Sequence, residues 1–232
     1  MNIGFFGGTF DPIHHGHIAV AQAAAKKFRL GKTLFVPSNA PPHKQKQPLT
    51  DFVHRYAMIC LALAEAGKKN FFPSLLEAPS GSEKTHYSIG TVSRLKRSLK
   101  KADKLFFLIG IDAFLDLAKW RQPEALLQEC EFIVASRAGY SLSDVAAALP
   151  ASLRPSQKIL RTFKRQPARG ELALPGVTIH LLEGVNVPVS ATRIRAAAAR
   201  GRKLTDMVPS SVADYISKTR LYQPASKKES ES

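Results

Sequence analysis

The sequence is poor in cysteine, tryptophan and acidic residues. Its 232 residues include two cysteines, Cys60 and Cys130, and one tryptophan. Two cysteines within apolar stretches exclude a disulfide framework and a cysteine-rich metal site, so we interpret both as buried apolar residues. Only 18 Asp and Glu stand against 34 Lys and Arg, which gives a formal net charge of +16. This charge predicts anionic partners such as phosphates, nucleic acid or a membrane surface, without choosing among them.

Long apolar runs are also missing. The longest, residues 105–118, is interrupted by Asp112 and Asp116 and is too short for a membrane helix, which needs about 20 residues. No N-terminal stretch combines a basic region, an apolar region and a cleavage site. We therefore expect a soluble cytoplasmic protein with no membrane partner. The charge alone would also suit an RNA-binding protein, but aromatic residues make up only 8% and no strand motif combines aromatic with basic residues, so we do not expect nucleic acid as a partner.

The chain does contain a regular alternation of apolar strands and helices. This pattern predicts an α/β fold, a Rossmann-like parallel sheet with helices on both faces. The predicted strands are 2–6, 33–36, 70–76, 104–109, 132–135 and 177–182. The predicted helices are 16–28, 51–65, 88–100, 113–119, 123–130, 190–200 and 210–218. Pro73 places the third strand at an edge or breaks its middle, and ligands should bind beyond the carboxyl ends of the strands, where the strand order reverses.

We predict one domain, residues 1–222, followed by a polar tail, 223–232, that we expect to be disordered. Within the domain, residues 141–176 separate two strands by more than a simple helix needs, and they are rich in arginine and lysine. We interpret this segment as a basic insertion. It is either a solvated or mobile loop, or a contact surface for an anion or a partner subunit, and the second alternative leaves a homo-oligomer open.

The strongest indication of function is the loop Gly7-Gly8-Thr9-Phe10-Asp11-Pro12-Ile13-His14-His15-Gly16-His17. It follows a predicted strand and opens a predicted helix. The paired glycines let the backbone turn and approach a ligand, and the free N–H groups of the helix start face the same space. His14 and His17, with Gly16 between them, can place two imidazole donors beside one anion. We interpret the loop as a phosphate site built from backbone amides and imidazoles.

Other interpretations of this loop fit less well. Two histidines at this spacing could bind zinc, but no third ligand is evident nearby, and they could also be incidental surface residues. The loop lacks the Gly-x-Gly-x-x-Gly fingerprint of dinucleotide-binding folds and the Gly-Lys-Ser/Thr of a Walker loop.

The loop resembles the Thr/His-x-Gly-His element of the nucleotidylyltransferase superfamily, in the form found in bacterial nicotinate-nucleotide adenylyltransferases. Further segments match that branch in the same order along the chain, over about residues 1–222. They are Pro41-Pro42-His43-Lys44, Ile109-Gly110-Ile111-Asp112 with Trp120 eight residues later, and Val189-Ser190-Ala191-Thr192-Arg193-Ile194-Arg195.

The resemblance implies adenylyl transfer from ATP to nicotinate mononucleotide, giving the dinucleotide and pyrophosphate in NAD biosynthesis, so these two substrates are the expected partners. The implied catalytic residues are His14, His17, Lys44 and Arg195. The implied ATP-binding residues are Gly7, Gly8, Thr9, Phe10, Gly16, Gly110, Asp112, Ser190 and Thr192. The implied residues for the mononucleotide are Tyr87, Ser88 and Trp120.

This reaction needs no strong catalytic base from the protein. The attacking phosphate is already mostly dianionic at neutral pH, so positioning and charge stabilisation matter more than a strong base. Mg²⁺ is expected to arrive with ATP, bridging phosphates and keeping several waters, and no protein residue is assigned as its ligand. Arg137, after the fifth strand, and Arg55, on the second helix, are further candidates for contacts with the site, although Arg55 could instead only cover it.

Departures from the family pattern keep the acceptor open. Ser88 stands where the branch usually has threonine, His86 where a small residue is common, and Ala191 where serine is more usual. Nicotinamide mononucleotide therefore remains an alternative acceptor, and phosphopantetheine is another within the superfamily.

Overall fold

The computed structural model describes residues 1–39, 49–79, 86–136, 140–163, 170–185 and 187–223. The strands are β1 (Asn2–Gly8), β2 (Leu30–Pro37), β3 (Phe71–Pro73), β4 (Lys104–Gly110), β5 (Glu131–Ala135), β6 (Glu171–Leu174) and β7 (Val177–Leu182). They form one sheet in the order β3-β2-β1-β4-β5-β7-β6. All neighbours are parallel except β6, which pairs antiparallel with β7. The predicted parallel sheet is confirmed, and its strand order reverses between β1 and β4.

Helices cover both faces of the sheet, as predicted. They are α1 (His15–Lys27), α2 (Phe52–Ala66), α3 (Ser88–Ser98), α4 (Ile111–Leu115), α5 (Pro123–Glu129), α6 (Leu142–Ala147), α7 (Gln157–Phe163), α8 (Ala191–Ala199) and α9 (Ser210–Thr219). α1, α2, α8 and α9 pack on one face, and the other five pack on the opposite face. Strand side chains alternate between the two resulting apolar clusters, so Phe5 joins one and Phe6 the other. Within the described ranges, none of the helices has the length and apolar character that crossing a membrane requires.

β3 is shorter than predicted and lies at the edge of the sheet. Only Phe71–Pro73 pairs with β2. Pro73 has no N–H to offer to a further strand, which suits the edge position. The next residue, Ser74, still donates its backbone N–H to the Phe35 carbonyl at 3.0 Å before the chain leaves the sheet.

Parts of residues 141–176 belong to the folded core and the sheet, while residues 151–159 are largely exposed. α6 buries Leu142 and Val145 in the core, and β6 extends the sheet. β6 pairs antiparallel with β7 from Glu171 to Leu174, and Nδ1 of His180 lies 3.1 Å from the Glu171 carboxylate. The expectation of a solvated insertion is therefore wrong for α6 and β6, because the many arginines of the segment obscure its apolar residues at helical spacing. Of the predicted tail, only Gln223 belongs to the described residues.

Candidate active site

The carboxyl ends of β1 and β4 meet where the strand order reverses. β1 ends in Gly7 and Gly8, and β4 ends in Gly110. A Cβ at Gly7 would lie 2.9 Å from the Phe5 ring, so a larger residue would displace that ring. A Cβ at Gly110 would meet no atom within 4 Å, which leaves open space beside the strand end. These glycines border the crevice in which sheets of this topology bind ligands.

His14 and His17 open α1 as a stacked pair. Their ring centroids lie 3.7 Å apart, with 24° between the ring planes. The backbone N–H of His14 donates to Nδ1 of His17 at 3.2 Å. Because Nδ1 accepts this bond, a neutral His17 ring carries its proton on Nε2, where it can be donated to a ligand. The predicted pair of imidazole donors is thus brought together by the first turn of the helix.

Gly16 leaves room for the ring of His14. A Cβ at this position would lie 3.0 Å from Nδ1 and 3.1 Å from Cε1 of His14. It would also lie 3.9 Å from the Cβ of Val187, just before α8. The absence of a side chain at Gly16 therefore leaves room for the imidazole of His14, whereas Val187 would be only in ordinary contact with a Cβ there.

Phe10 supports the site from behind. Its side chain is only 1% exposed and packs edge-on against His17, with centroids 4.9 Å apart. A φ of 48° places its backbone in the left-handed region, which turns the loop after β1. The side chain of Phe10 is thus part of the core, and only its backbone is available for the predicted contact with ATP.

α8 brings Arg195 to the same loop. Its Nη1 donates to the carbonyl of Asp11 at 2.8 Å. Ser190 caps the helix, with its Oγ accepting from the N–H of Arg193 at 3.3 Å, and Thr192 is exposed in the first turn. Hydroxyl, amide and guanidinium donors of α8 thus lie beside the loop that carries the histidine pair.

A buried arginine on α2 joins the site loop to its surroundings. Arg55 is 1% exposed and donates to the carbonyls of Thr9 at 2.9 Å and Ser38 at 2.7 Å. It also donates to the carbonyl of Thr50 at 2.7 Å. Burial lowers the pKa of the guanidinium, while the nearby Asp11 carboxylate opposes that shift. The sequence left the role of Arg55 open, and the structure makes it a positioning residue that fixes the loops after β1 and β2.

Asp11 ties the loop to the last residues of the described chain. Its carboxylate accepts from the Tyr222 hydroxyl at 2.6 Å and from the Thr50 N–H at 3.3 Å. Burial first, and then the Asp11 carboxylate, raises the pKa of Tyr222 far above its usual value, so the hydroxyl remains a donor. Sequence reasoning missed this pair, since 211 residues separate its members and no local pattern signals their contact.

The residues predicted for the mononucleotide meet at the start of α3. Tyr87 is the N-cap of this helix and Ser88 its first residue. Trp120 follows a short 3-10 turn and packs edge-on against Phe107 of β4, with centroids 6.3 Å apart. The next residue, Arg121, places Cζ 4.9 Å from the centroid of the Tyr87 ring. The predicted residues of this subsite are therefore neighbours, and Arg121 joins them although the sequence did not single it out.

Glu77, a buried carboxylate that sequence reasoning also missed, holds the first turn of α3. It is 5% exposed, and its Oε1 accepts from Thr91 Oγ1 at 2.9 Å. Burial raises the pKa of Glu77 to about 7, although the bond from Thr91 and the charge of Arg94 lower it in part. Thr91 in turn donates its backbone N–H to the carbonyl of Tyr87 at 3.2 Å, so Glu77 supports the mononucleotide subsite from below.

The remaining residues that the sequence singled out are either outside the described part of the chain or characterised by their position and burial alone. Lys44, with the rest of Pro41-Pro42-His43-Lys44, lies outside the described residues, and so does Arg137. Asp112 is exposed in the first turn of α4, two residues past Gly110. His86 buries its Nε2 with no hydrogen-bond partner in the described part of the chain.

Comparison with known proteins agrees with this arrangement. The model of the cytidylyltransferase-like family matches residues 5–197. The probable nicotinate-nucleotide adenylyltransferase of Geobacter metallireducens is 35% identical over 222 residues, covering 96% of this chain and 98% of the relative. That of Moorella thermoacetica is 34% identical, covering 96% of this chain and 92% of the relative.

A solved structure shares the fold. The nicotinic acid mononucleotide adenylyltransferase of Plasmodium falciparum, complexed with NaAD, matches with a TM-score of 0.66 at 21% identity, covering 95% of this chain and 97% of that chain. At this level of identity the likeness concerns the fold. The family model and the sequence relatives, which extend over nearly the whole chain, decide the membership. The chain therefore belongs to the cytidylyltransferase-like family, and within it to the nicotinate-nucleotide adenylyltransferases.

Proposed function

We propose that the protein transfers the adenylyl group of ATP to nicotinate mononucleotide, giving nicotinate adenine dinucleotide and pyrophosphate in NAD biosynthesis. The observation that carries this proposal is the stacked pair of His14 and His17 beside Arg195, at the reversal of strand order. Sequence relatives named for the same activity support it. A cluster of imidazoles, a guanidinium and two helix N-termini suits phosphate groups.

The chemistry is an in-line displacement at phosphorus. An oxygen of the mononucleotide phosphate attacks the α-phosphorus of ATP, and the bond from that phosphorus to the bridging oxygen of the β-phosphate breaks. Pyrophosphate leaves with the bridging oxygen. Because the attacking phosphate is already mostly dianionic near pH 7, the protein has to align the phosphates and stabilise the charge that develops on their oxygens.

Each element of the site has a part in that task. His17 donates from Nε2 to an oxygen of the reacting phosphate, and His14 supplies a second imidazole beside it. The N–H groups of His14 and His15 are already donated to Nδ1 of His17 and to the Met207 carbonyl, so the imidazoles are the main donors that α1 offers to the phosphates. Arg195 stabilises the charge of the leaving pyrophosphate, and Ser190 and Thr192 add donors at the start of α8. Lys44 is a further candidate for the phosphates on the family resemblance alone.

The two nucleosides occupy the two sides of the crevice. Gly7, Gly8 and Gly110 let the adenosine part of ATP approach the strand ends, and Asp112 accepts hydrogen bonds from its ribose hydroxyls. Trp120 stacks on the pyridine ring. Tyr87 and Ser88, at the start of α3, bind the substituent of that ring.

Mg²⁺ enters this scheme as part of the MgATP substrate. The described donors around His14 are imidazoles, amides and a guanidinium, which suit phosphate oxygens and not a hard cation. The carboxylate of the loop, Asp11, already accepts from Tyr222 and Thr50. We therefore propose that phosphates and water hold the ion.

Replacing His17 by alanine tests the assignment of the imidazole. A donor to the reacting phosphate stabilises the transition state more than bound ATP, so kcat should fall by about 10²- to 10³-fold while the KM for ATP changes little. His15→Ala is the matched control, because the His15 ring contacts the Thr205 carbonyl at 3.4 Å and has no assigned role in the reaction. Equal losses of rate and ATP affinity in His17→Ala would limit His17 to binding.

A panel of acceptors tests the substrate. We expect turnover with nicotinate mononucleotide to exceed that with nicotinamide mononucleotide or phosphopantetheine at equal concentrations of MgATP. A preference for phosphopantetheine would move the protein to another activity of the superfamily.

A further inference from the structure

The loop that carries Trp120 also fixes a cation at the start of α3. Arg121 is exposed, yet its guanidinium lies over the Tyr87 ring, with Cζ 4.9 Å from the centroid. A planar guanidinium stacks well on an aromatic face, whereas a free arginine side chain would sample many rotamers. The contact therefore holds the positive charge next to the two residues proposed to bind the pyridine substituent, Tyr87 and Ser88.

No carboxylate among the described residues neutralises this charge by an ion pair. The first turn of α3 contains no acidic residue. The neighbouring acids are engaged elsewhere, since Asp116 pairs with Lys119 at 2.6 Å and Glu124 accepts from Ser152 at 3.0 Å. With respect to the described residues, the guanidinium of Arg121 therefore retains N–H donors and charge for a ligand.

We propose that Arg121 is a specificity-determining residue that selects a negatively charged substituent on the pyridine ring of the mononucleotide. This inference rests on the proposed function and deepens it. Nicotinate and nicotinamide are close to isosteric, and they differ mainly by one negative charge. A guanidinium forms charge-assisted, potentially bidentate hydrogen bonds with a carboxylate, whereas a neutral carboxamide offers one acceptor and no charge.

The contact with Tyr87 explains why the charge of Arg121 can discriminate between the two acceptors. A mobile surface cation would be screened by water and salt and would lose entropy on binding. The guanidinium of Arg121 instead already lies over the Tyr87 ring before the ligand arrives, and preorganisation of this kind reduces the cost of binding. Arg121 thereby supplies the selectivity that the departures at His86 and Ser88 left undecided.

The test compares two acceptors in the full-length chain. kcat/KM is measured with nicotinate and with nicotinamide mononucleotide at saturating MgATP, for wild type, Arg121→Gln, Arg121→Lys and Lys119→Gln. Lys119→Gln removes a positive charge two residues away and is the matched control. Titration of the fluorescence of Trp120, the single tryptophan, gives the dissociation constant of each mononucleotide independently of turnover, and thermal unfolding verifies that every variant is folded.

We expect Arg121→Gln to lower kcat/KM for nicotinate mononucleotide by about 10- to 100-fold, the range of a lost charge-assisted hydrogen bond, mainly through KM. The value for nicotinamide mononucleotide should be unchanged. Arg121→Lys should fall between wild type and Arg121→Gln, and Lys119→Gln should match wild type.

Two results would overturn the inference alone. One is a wild-type enzyme that uses nicotinate mononucleotide together with an Arg121→Gln variant of unchanged preference. The other is an equal loss for both acceptors, which would mean that Arg121 shapes the pocket without reading charge. Wild-type protein that adenylylates neither acceptor would instead overturn the proposed function, and the inference with it.

Discussion

Replacing Gly16 by alanine should slow catalysis without destabilising the protein. The new Cβ would lie 3.0 Å from Nδ1 of His14, whereas ordinary contacts begin at 3.4 Å, so the ring must move by about 0.4 Å. A misplacement of 1 Å costs roughly 10²-fold in rate, and a shift of nearly half that size should lower kcat by about tenfold. Alanine is the better helix former, by up to about 1 kcal/mol, which should offset the tighter contact in the free energy of unfolding.

Steady-state kinetics with urea denaturation separates the two effects. Gly90→Ala is the matched control, because this glycine also lies in the first turn of a helix, α3, and a Cβ there would meet no atom within 4 Å. It should leave kcat unchanged and the stability equal or slightly higher. A Gly16→Ala enzyme with the kcat of wild type would refute the argument that the position of the His14 ring limits the rate. Equal rate losses in the two variants would refute it as well.

Two buried ionisable residues yield further predictions. Arg55→Met leaves four backbone carbonyls without their donor, and the bond to Asn39, at 3.4 Å, is the longest of them. The free energy of unfolding in urea should therefore fall by about 3 kcal/mol or more, at about 1 kcal/mol for each of the shorter bonds. A loss below about 1 kcal/mol would contradict the positioning role. Burial raises the pKa of Glu77 to about 7 in the folded protein, against roughly 4.3 when unfolded, so its favourable contribution is complete below about pH 4 and is lost as the pH rises towards 7. Glu77→Gln should remove this dependence and gain up to about 3 kcal/mol relative to wild type between pH 5 and pH 8, whereas parallel stability curves for the two proteins would contradict the assignment.

The local pattern of apolar residues was sufficient to predict most of the fold. The apolar runs predicted β1, β2, β4, β5 and β7 to within a few residues at each end, because buried parallel strands are continuously apolar. The edge strand β3 was predicted too long, because the apolar run 70–76 continues after the chain has left its single neighbour, β2. The sequence analysis missed α6 and β6, because arginines dominate the composition of residues 141–176. Only the packing of Leu142 and Val145 shows that α6 belongs to the core.

The residues of the candidate site likewise fall into those that local sequence predicts and those that it does not. The spacing of His14, Gly16 and His17 is local, so a strand-to-helix turn brings them together with no help from distant residues. The contacts of Arg55 and Tyr222 join segments far apart in the chain, and no periodicity encodes such a meeting. The role of Arg121 could not be predicted from local sequence either, because its contact with Tyr87 depends on how α3 and the loop after Trp120 pack.

In the proposed reaction, the adenylyl group of ATP passes to nicotinate mononucleotide at this site. Incubating the purified chain with Mg²⁺, nicotinate mononucleotide and ATP labelled either at the α-phosphate or at the γ-phosphate tests it most directly. We expect the α-label to appear in nicotinate adenine dinucleotide and the γ-label in pyrophosphate, in equal amounts and at a rate that His17→Ala lowers strongly. Release of the α-label as AMP, or no transfer by folded protein, would contradict it.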